Sequence, residues 1–187
     1  GEDKEGIKVM LEKIFGGKSL RASVENIAEV ENEIRSNLLK AGGRAFVPED
    51  AKAFLSIETI CEIVLAAGGI PTYPFLGDDV QGNYTDFEKG LECVAEELTK
   101  RGFYSVEFIT TRNRVDLLEK YAGYLHDNGF VVTFGSEHNT PVMEPVELFA
   151  RGRTPLTEQL MQINYEGACV IAAHQYVTAQ GLEGYVD

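Results

Sequence analysis

Apolar positions along this chain alternate between two rhythms: helical spacing of three and four, and short continuous runs bounded by glycine. From Ser56 onward the alternation repeats. Ile57, Ile60, Cys61, Val64 and Leu65 mark one face of a helix that Gly68-Gly69 ends, and residues 70–76 follow as an apolar strand. Thr85 and Glu88 stand at capping-box spacing, which predicts a helix opening there with Phe87, Leu91, Val94 and Leu98 on its inner face. Gly102 stops that helix, and residues 104–109 form a second strand. Asn113 is placed to cap a third helix bearing Val115, Leu118, Ala122 and Leu125. Asn128-Gly129 closes it before a third strand at 130–134. A last helix is expected to start at Thr154-Pro155, with threonine as cap and proline in the first turn, and to run toward Val177.

Strands alternating with helices of this length predict parallel pairing through right-handed crossovers. Three strands are few, since a sheet usually has about five or six. The expected fold is therefore α/β, a partial barrel of three parallel strands with helices, whose remainder lies outside this chain. Residues 1–55 carry no strand rhythm. Met10, Leu11, Ile14 and Phe15 close one helical pattern before Gly16-Gly17. Ser23 is expected to cap a second, bearing Val24, Ile27, Val30, Ile34 and Leu38. The division expected is thus a helical segment over 1–55 and the α/β part over 56–187.

Composition adds exclusions. Of the 187 residues 44% are hydrophobic and 25% charged, ordinary globular values, and no apolar run approaches the roughly 18 residues of a membrane span. The net charge of −13, with basic residues interspersed among acids, argues against nucleic-acid and membrane partners. A small anionic substrate stays open, because local charge at a site can oppose the global field. Cys61, Cys93 and Cys169 are odd in number and form no CxxC pair, so buried free thiols in a reducing, cytoplasmic setting are expected. The leading Gly1 fits a chain cut from a longer one.

Parallel α/β architectures bind ligands beyond the carboxyl ends of their strands. The loops there carry Asp78-Asp79, then Thr110 to Asn113, then Gly135-Ser136-Glu137-His138-Asn139. For Asp78 and Asp79 a solvated position is the plainer expectation. Glu137-His138 is more pointed, because imidazole and carboxylate suit a divalent cation. On residue type alone, a hydrogen-bonded structural role for His138 stands beside metal ligation. His126, near the end of the third helix, is expected to meet the dipole there, and His174 to make a polar contact. Gly17-Lys18-Ser19 lacks the glycine a phosphate loop needs at position 12, where Glu12 stands.

Three stretches carry a family resemblance: Ala66-Ala67-Gly68-Gly69-Ile70-Pro71-Thr72-Tyr73-Pro74, then Gly102-Phe103-Tyr104-Ser105-Val106-Glu107, then Val132-Thr133-Phe134-Gly135-Ser136-Glu137-His138. Together they resemble the polymerase and histidinol phosphatase (PHP) family. That resemblance spans residues 57–141, and residues 6–55 resemble the helical insertion some members carry. It implies a distorted (β/α)7 barrel that holds divalent metals (zinc, manganese or iron) and hydrolyses phosphoesters. The family's Gly-Ser-Asp-x-His motif matches at Gly135-Ser136, with Glu137 and His138 as implied metal ligands and the intervening residue missing. Where many members have Ala-His-Pro, this chain has Thr72-Tyr73-Pro74, so Tyr73 replaces a ligand histidine. Arg112, Tyr73 and Asn139 are the implied substrate-binding residues, Arg112 as a clamp for an anion.

The family opens with a His-x-His strand end, and no histidine stands before residue 57 here. The expectation is therefore the carboxyl-terminal half of a PHP-like hydrolase, inactive alone and seeking either its upstream half or a second copy. The alternative is a barrel that has lost catalysis and serves as a ligand-binding or regulatory module.

Overall fold

The computed structural model describes residues 3–78, 82–136 and 146–185. They form two compact units, one over residues 3–54 and one over residues 55–136 and 146–185.

In the smaller unit, Asp3 caps α1 (Lys4–Ile14) by accepting from the Gly6 N–H at 2.9 Å. Its companion α2 (Ile27–Ile34) runs on into a π turn at Arg35–Leu39. Helix α2 starts later than the apolar pattern predicts. The Ser23 carbonyl and hydroxyl hold the Asn26 and Glu25 N–H groups in a turn, and Asn26 becomes the cap. Leu11, Phe15 and Leu20 are the buried centre, with Val24, Val30, Ile34 and Leu38 packed against them.

The larger unit starts with α3 (Ile57–Ala66), capped by Ser56. Then come β1 (Thr72–Phe75), α4 (Leu91–Lys100), β2 (Ser105–Ile109), α5 (Val115–Asp127) and β3 (Val131–Gly135). A small antiparallel pair follows, β4 (Phe149–Ala150) with β5 (Thr154–Pro155), and then α6 (Glu158–Thr178). The main sheet has the order β1-β2-β3, with both pairs parallel. The helix–glycine–strand rhythm predicted this arrangement. Among the described residues the sheet is three-stranded and does not close into a barrel.

Register places Tyr73, Val106 and Val132 in one row and Phe75, Phe108 and Phe134 in the next, on one face. The Phe75 and Phe108 rings stack at 4.6 Å, and Tyr121 of α5 meets Phe75 edge-on at 5.5 Å. Val94 and Leu98 of α4 and Leu118 and Leu125 of α5 complete that core. Pro74, Glu107 and Thr133 share a row on the other face, and Pro74 and Glu107 are exposed there. A parallel sheet covered on both faces reads as continuous apolar strands. This one does not.

Three local expectations are corrected. Thr154-Pro155 pairs as β5, and Thr157 caps α6, because Arg151 to Arg153 forms a 3-10 turn that turns the chain back on β4 first. Helix α4 begins at Leu91 rather than after Thr85, because Glu88 is drawn into the interior as described below. Cys61 is buried, but Cys93 and Cys169 are exposed free thiols. Their positions fall on the outer sides of α4 and α6.

Candidate functional site

The chain leaves β1, β2 and β3 at the same end of the sheet, so the three loops named above start side by side. The β1 exit is held by a carboxylate that the capping-box spacing misassigned. Glu88 is fully buried and accepts from the Leu76 N–H at 3.0 Å, the Gly77 N–H at 3.0 Å and the Tyr73 hydroxyl at 3.1 Å. It thereby satisfies two backbone donors at a strand end that no neighbouring strand serves. Burial, and then the Glu88 charge, push the Tyr73 phenol well above its ordinary pKa. Tyr73 is thus neutral and engaged, its ring edge-on to Phe75, Phe87 and Phe103.

Asn113 ties the β1 and β2 exits together. Its amide donates to the carbonyls of Leu76 at 3.2 Å and Ile109 at 2.9 Å, and its oxygen accepts from the Asp78 N–H at 3.1 Å. This replaces the helix-cap role that its position suggested; Arg114 stands at the α5 cap. The close approach requires glycine at 77, where φ is +71° and an added Cβ would lie 1.8 Å from the Asn113 oxygen.

Asp78 is buried rather than solvated. Arg151, between β4 and β5, reaches it with both terminal nitrogens at 2.9 and 3.1 Å, in the forked geometry that suits a carboxylate. The same guanidinium donates to the Asp78 carbonyl at 2.9 Å and to the Arg112 carbonyl. The Arg151 N–H meets the Asn113 carbonyl at 2.8 Å. The sequence offered one hint of Arg151, a basic residue in a polar turn before the last helix, and that is too common to single out. Among the described residues, the buried Thr110 hydroxyl and Arg151 Nε have no hydrogen-bond partner.

Of the sequence-derived candidates, Arg112 is exposed in the 3-10 turn Thr110–Arg112 at the carboxyl end of β2. Glu137, His138, Asn139 and Asp79 lie outside the described residues. Gly135 ends β3 beside Ile109 of β2, and a Cβ there would sit 2.7 Å from a Glu107 carboxylate oxygen. Glu107 therefore brings an exposed carboxylate alongside the strand end that leads into Glu137-His138. Its signal was present in the sequence, as an acid alternating with apolar residues inside a strand. The donor types would suit a divalent cation. Among the described residues, however, no three metal-ligating side chains cluster.

The remaining histidines are structural. His174 is buried, with Nε2 2.9 Å from the Gly68 carbonyl and Nδ1 accepting from the Tyr185 N–H at 3.0 Å, which assigns its proton to Nε2. His126, in the last turn of α5, lies 2.6 Å from Glu166 on α6. Gln162 and His126 hold the Glu166 carboxyl below the usual carboxylate range.

Among the described residues, fold and site together define an α/β protein with a three-stranded parallel sheet, its β1 exit held by the buried Glu88 and tied to the β2 exit by Asn113. No family model, no curated protein and no solved structure matches the chain. No described helix is long and apolar enough to cross a membrane.

Proposed function

We propose that the chain is part of a PHP-like, metal-dependent hydrolase of the cytoplasm acting on small phosphoesters, with its site at the carboxyl ends of the strands. The observation that carries this reading is the meeting of Gly135, the last residue of β3, with the Glu107 carboxylate at that end of the sheet. Gly135 and Ser136 thus leave the sheet at the end where parallel α/β proteins do their chemistry.

In this reading His138 and Glu137, joined by Glu107, would hold a divalent cation, which when bound would polarise a phosphoryl oxygen. Arg112 meets the substrate anion. Asp78 and Glu88 are excluded as ligands, since Arg151 and the β1 exit occupy their oxygens. Their part is to hold the loops still. The remaining ligands come from the upstream half of the barrel, so this chain alone retains little metal and shows no phosphatase activity.

Elemental analysis after dialysis tests the split site, and stoichiometric zinc or manganese on this chain alone would overturn it. In a protein that includes the upstream half, His138→Ala and Glu107→Gln should each reduce both metal content and turnover. One observation favours a second reading, a non-catalytic ligand-binding module. Tyr73, standing where the family's histidine ligand falls, gives its hydroxyl to Glu88. If that reading holds, neither variant changes metal content, because there is none to lose.

A further inference from the structure

A surface helix normally turns charge toward water on the side opposite its buried stripe. Helices α4 and α5 do so, with Glu92, Glu96, Asp116 and Glu119 exposed. Helix α6 does not. Leu160, Ile163, Gly167 and His174 form its buried side. On the opposite side Met161, Tyr165, Ala168, Ala172 and Tyr176 recur at helical spacing, all exposed, with Cys169 beside them. Tyr165 is 65% exposed and Tyr176 71%. The helix carries two acids and neither lysine nor arginine. Glu158 lies in its first turn, and Glu166 is tied to His126 and Gln162 on the flank. A continuous apolar face without charge marks a contact surface rather than a solvated one.

We propose that two copies of this chain pair through α6, antiparallel about a two-fold axis that passes between Ala168 and Cys169. The order of side-chain sizes along the face is what selects a second copy. About that axis Tyr165 of one protomer meets Ala172 of its partner, so each large ring falls on a small residue. Met161 meets Tyr176, a thioether against an aromatic ring. Ala168 and Cys169 meet at the centre, where small side chains let helix axes approach toward the lower end of the usual 8–10 Å. The two-fold repeats every contact, as a closed dimer requires.

Charge points the same way. A chain of net charge −13 repels its own copy wherever acids oppose acids. In this register Glu158 faces Ala179, and no acid of α6 opposes another. Area sets the strength. The 21-residue helix is about 31 Å long, and its exposed tyrosines and methionine with their small neighbours cover roughly 1,000 Å² over both copies. That is the lower bound of a specific interface, so the dimer dissociates in the micromolar range.

Sedimentation velocity of the 187-residue chain over a concentration series should show a reversible monomer–dimer equilibrium. Ala172→Glu puts a carboxylate under the partner's ring at a position exposed in the monomer, and should weaken association by about tenfold or more. Tyr176→Ala serves as the second variant if Ala172→Glu alters the native spectrum. A short bismaleimide applied to the Cys93→Ser chain should link dimers through Cys169, since Cys61 is buried, and Cys169→Ser should abolish the product. A monomer at every concentration, association unchanged in the folded variants, or no crosslink through Cys169 overturns the proposal. None of these results bears on the hydrolase reading, which depends on metal.

Discussion

A buried carboxylate costs several kcal/mol to desolvate unless its oxygens are fully used. Glu88 uses them on the Leu76 and Gly77 N–H groups and the Tyr73 hydroxyl. Glu88→Ala would leave three donors behind in a closed space. It should lower stability by about 3 kcal/mol, read from urea unfolding. Tyr73 adds a pH signature. Its folded pKa lies above the unfolded value of about 10, so the stability it contributes is complete below that pH and declines as pH rises beyond it. Tyr73→Phe should flatten the decline measured between roughly pH 9 and 11. A fall equally steep in the variant would assign it to other groups. These roles were hidden from sequence for a physical reason. Thr85 does accept from the Glu88 N–H at 3.2 Å, as the capping-box spacing predicts, but the Glu88 side chain turns inward, and only the folding back of residues 82–90 onto the β1 exit makes that interior position compete. Asn113 and Asp78 were misjudged likewise, since a residue's spacing does not reveal a partner 35 positions away.

At the scale of elements, α6 does two jobs: it closes a helix–strand contact and covers a sheet edge. Asn164 accepts from the Phe134 N–H at 2.8 Å, a donor that faces away from β2. Gly167 permits the approach. A Cβ there would lie 2.1 Å from the Val132 carbonyl oxygen, a backbone atom with no rotamer to escape into. Alanine is worth about 1 kcal/mol more than glycine in a helix. Overpacking against backbone costs about 1–3 kcal/mol. Gly167→Ala should therefore destabilise by about 2 kcal/mol, and a stabilised variant would show that α6 stands off the edge. The cap is separable. Thr157→Ala should cost about 1 kcal/mol and some helix content by circular dichroism, while Pro155→Ala should leave helix content unchanged. The three strands and their parallel pairing were legible because glycine stops and apolar runs are local signals. The start of α6 was not. Thr-Pro fits a helix start as well as a short strand, and only pairing with Phe149 and Ala150 decides between them.

For the molecule as a whole, the two units differ most in how much each buries. The α/β unit centres on a cluster of twenty buried residues, and the helical unit on three. Hydrophobic stabilisation scales with area removed from water, so the smaller unit has little to set against the entropy of ordering its helices. In the sequence, the strand rhythm starts only after Ser56. Periodicity could not show how thin the first core is, since Ile7, Val9, Met10 and Ile27 fit helical spacing yet remain exposed. Unfolding should accordingly be stepwise rather than concerted. Native-state hydrogen exchange should find the α1 and α2 amides opening at lower free energy than those of β2 and α5. Phe15 is 3% exposed and one of the three central residues, so Phe15→Ala removes about 3 kcal/mol from a unit with few other contacts. Protection in α1 and α2 should vanish while that of Phe108 and Leu118 stays at the parent value. Equal loss of protection in both sets of amides would mean that the units share one cooperative transition.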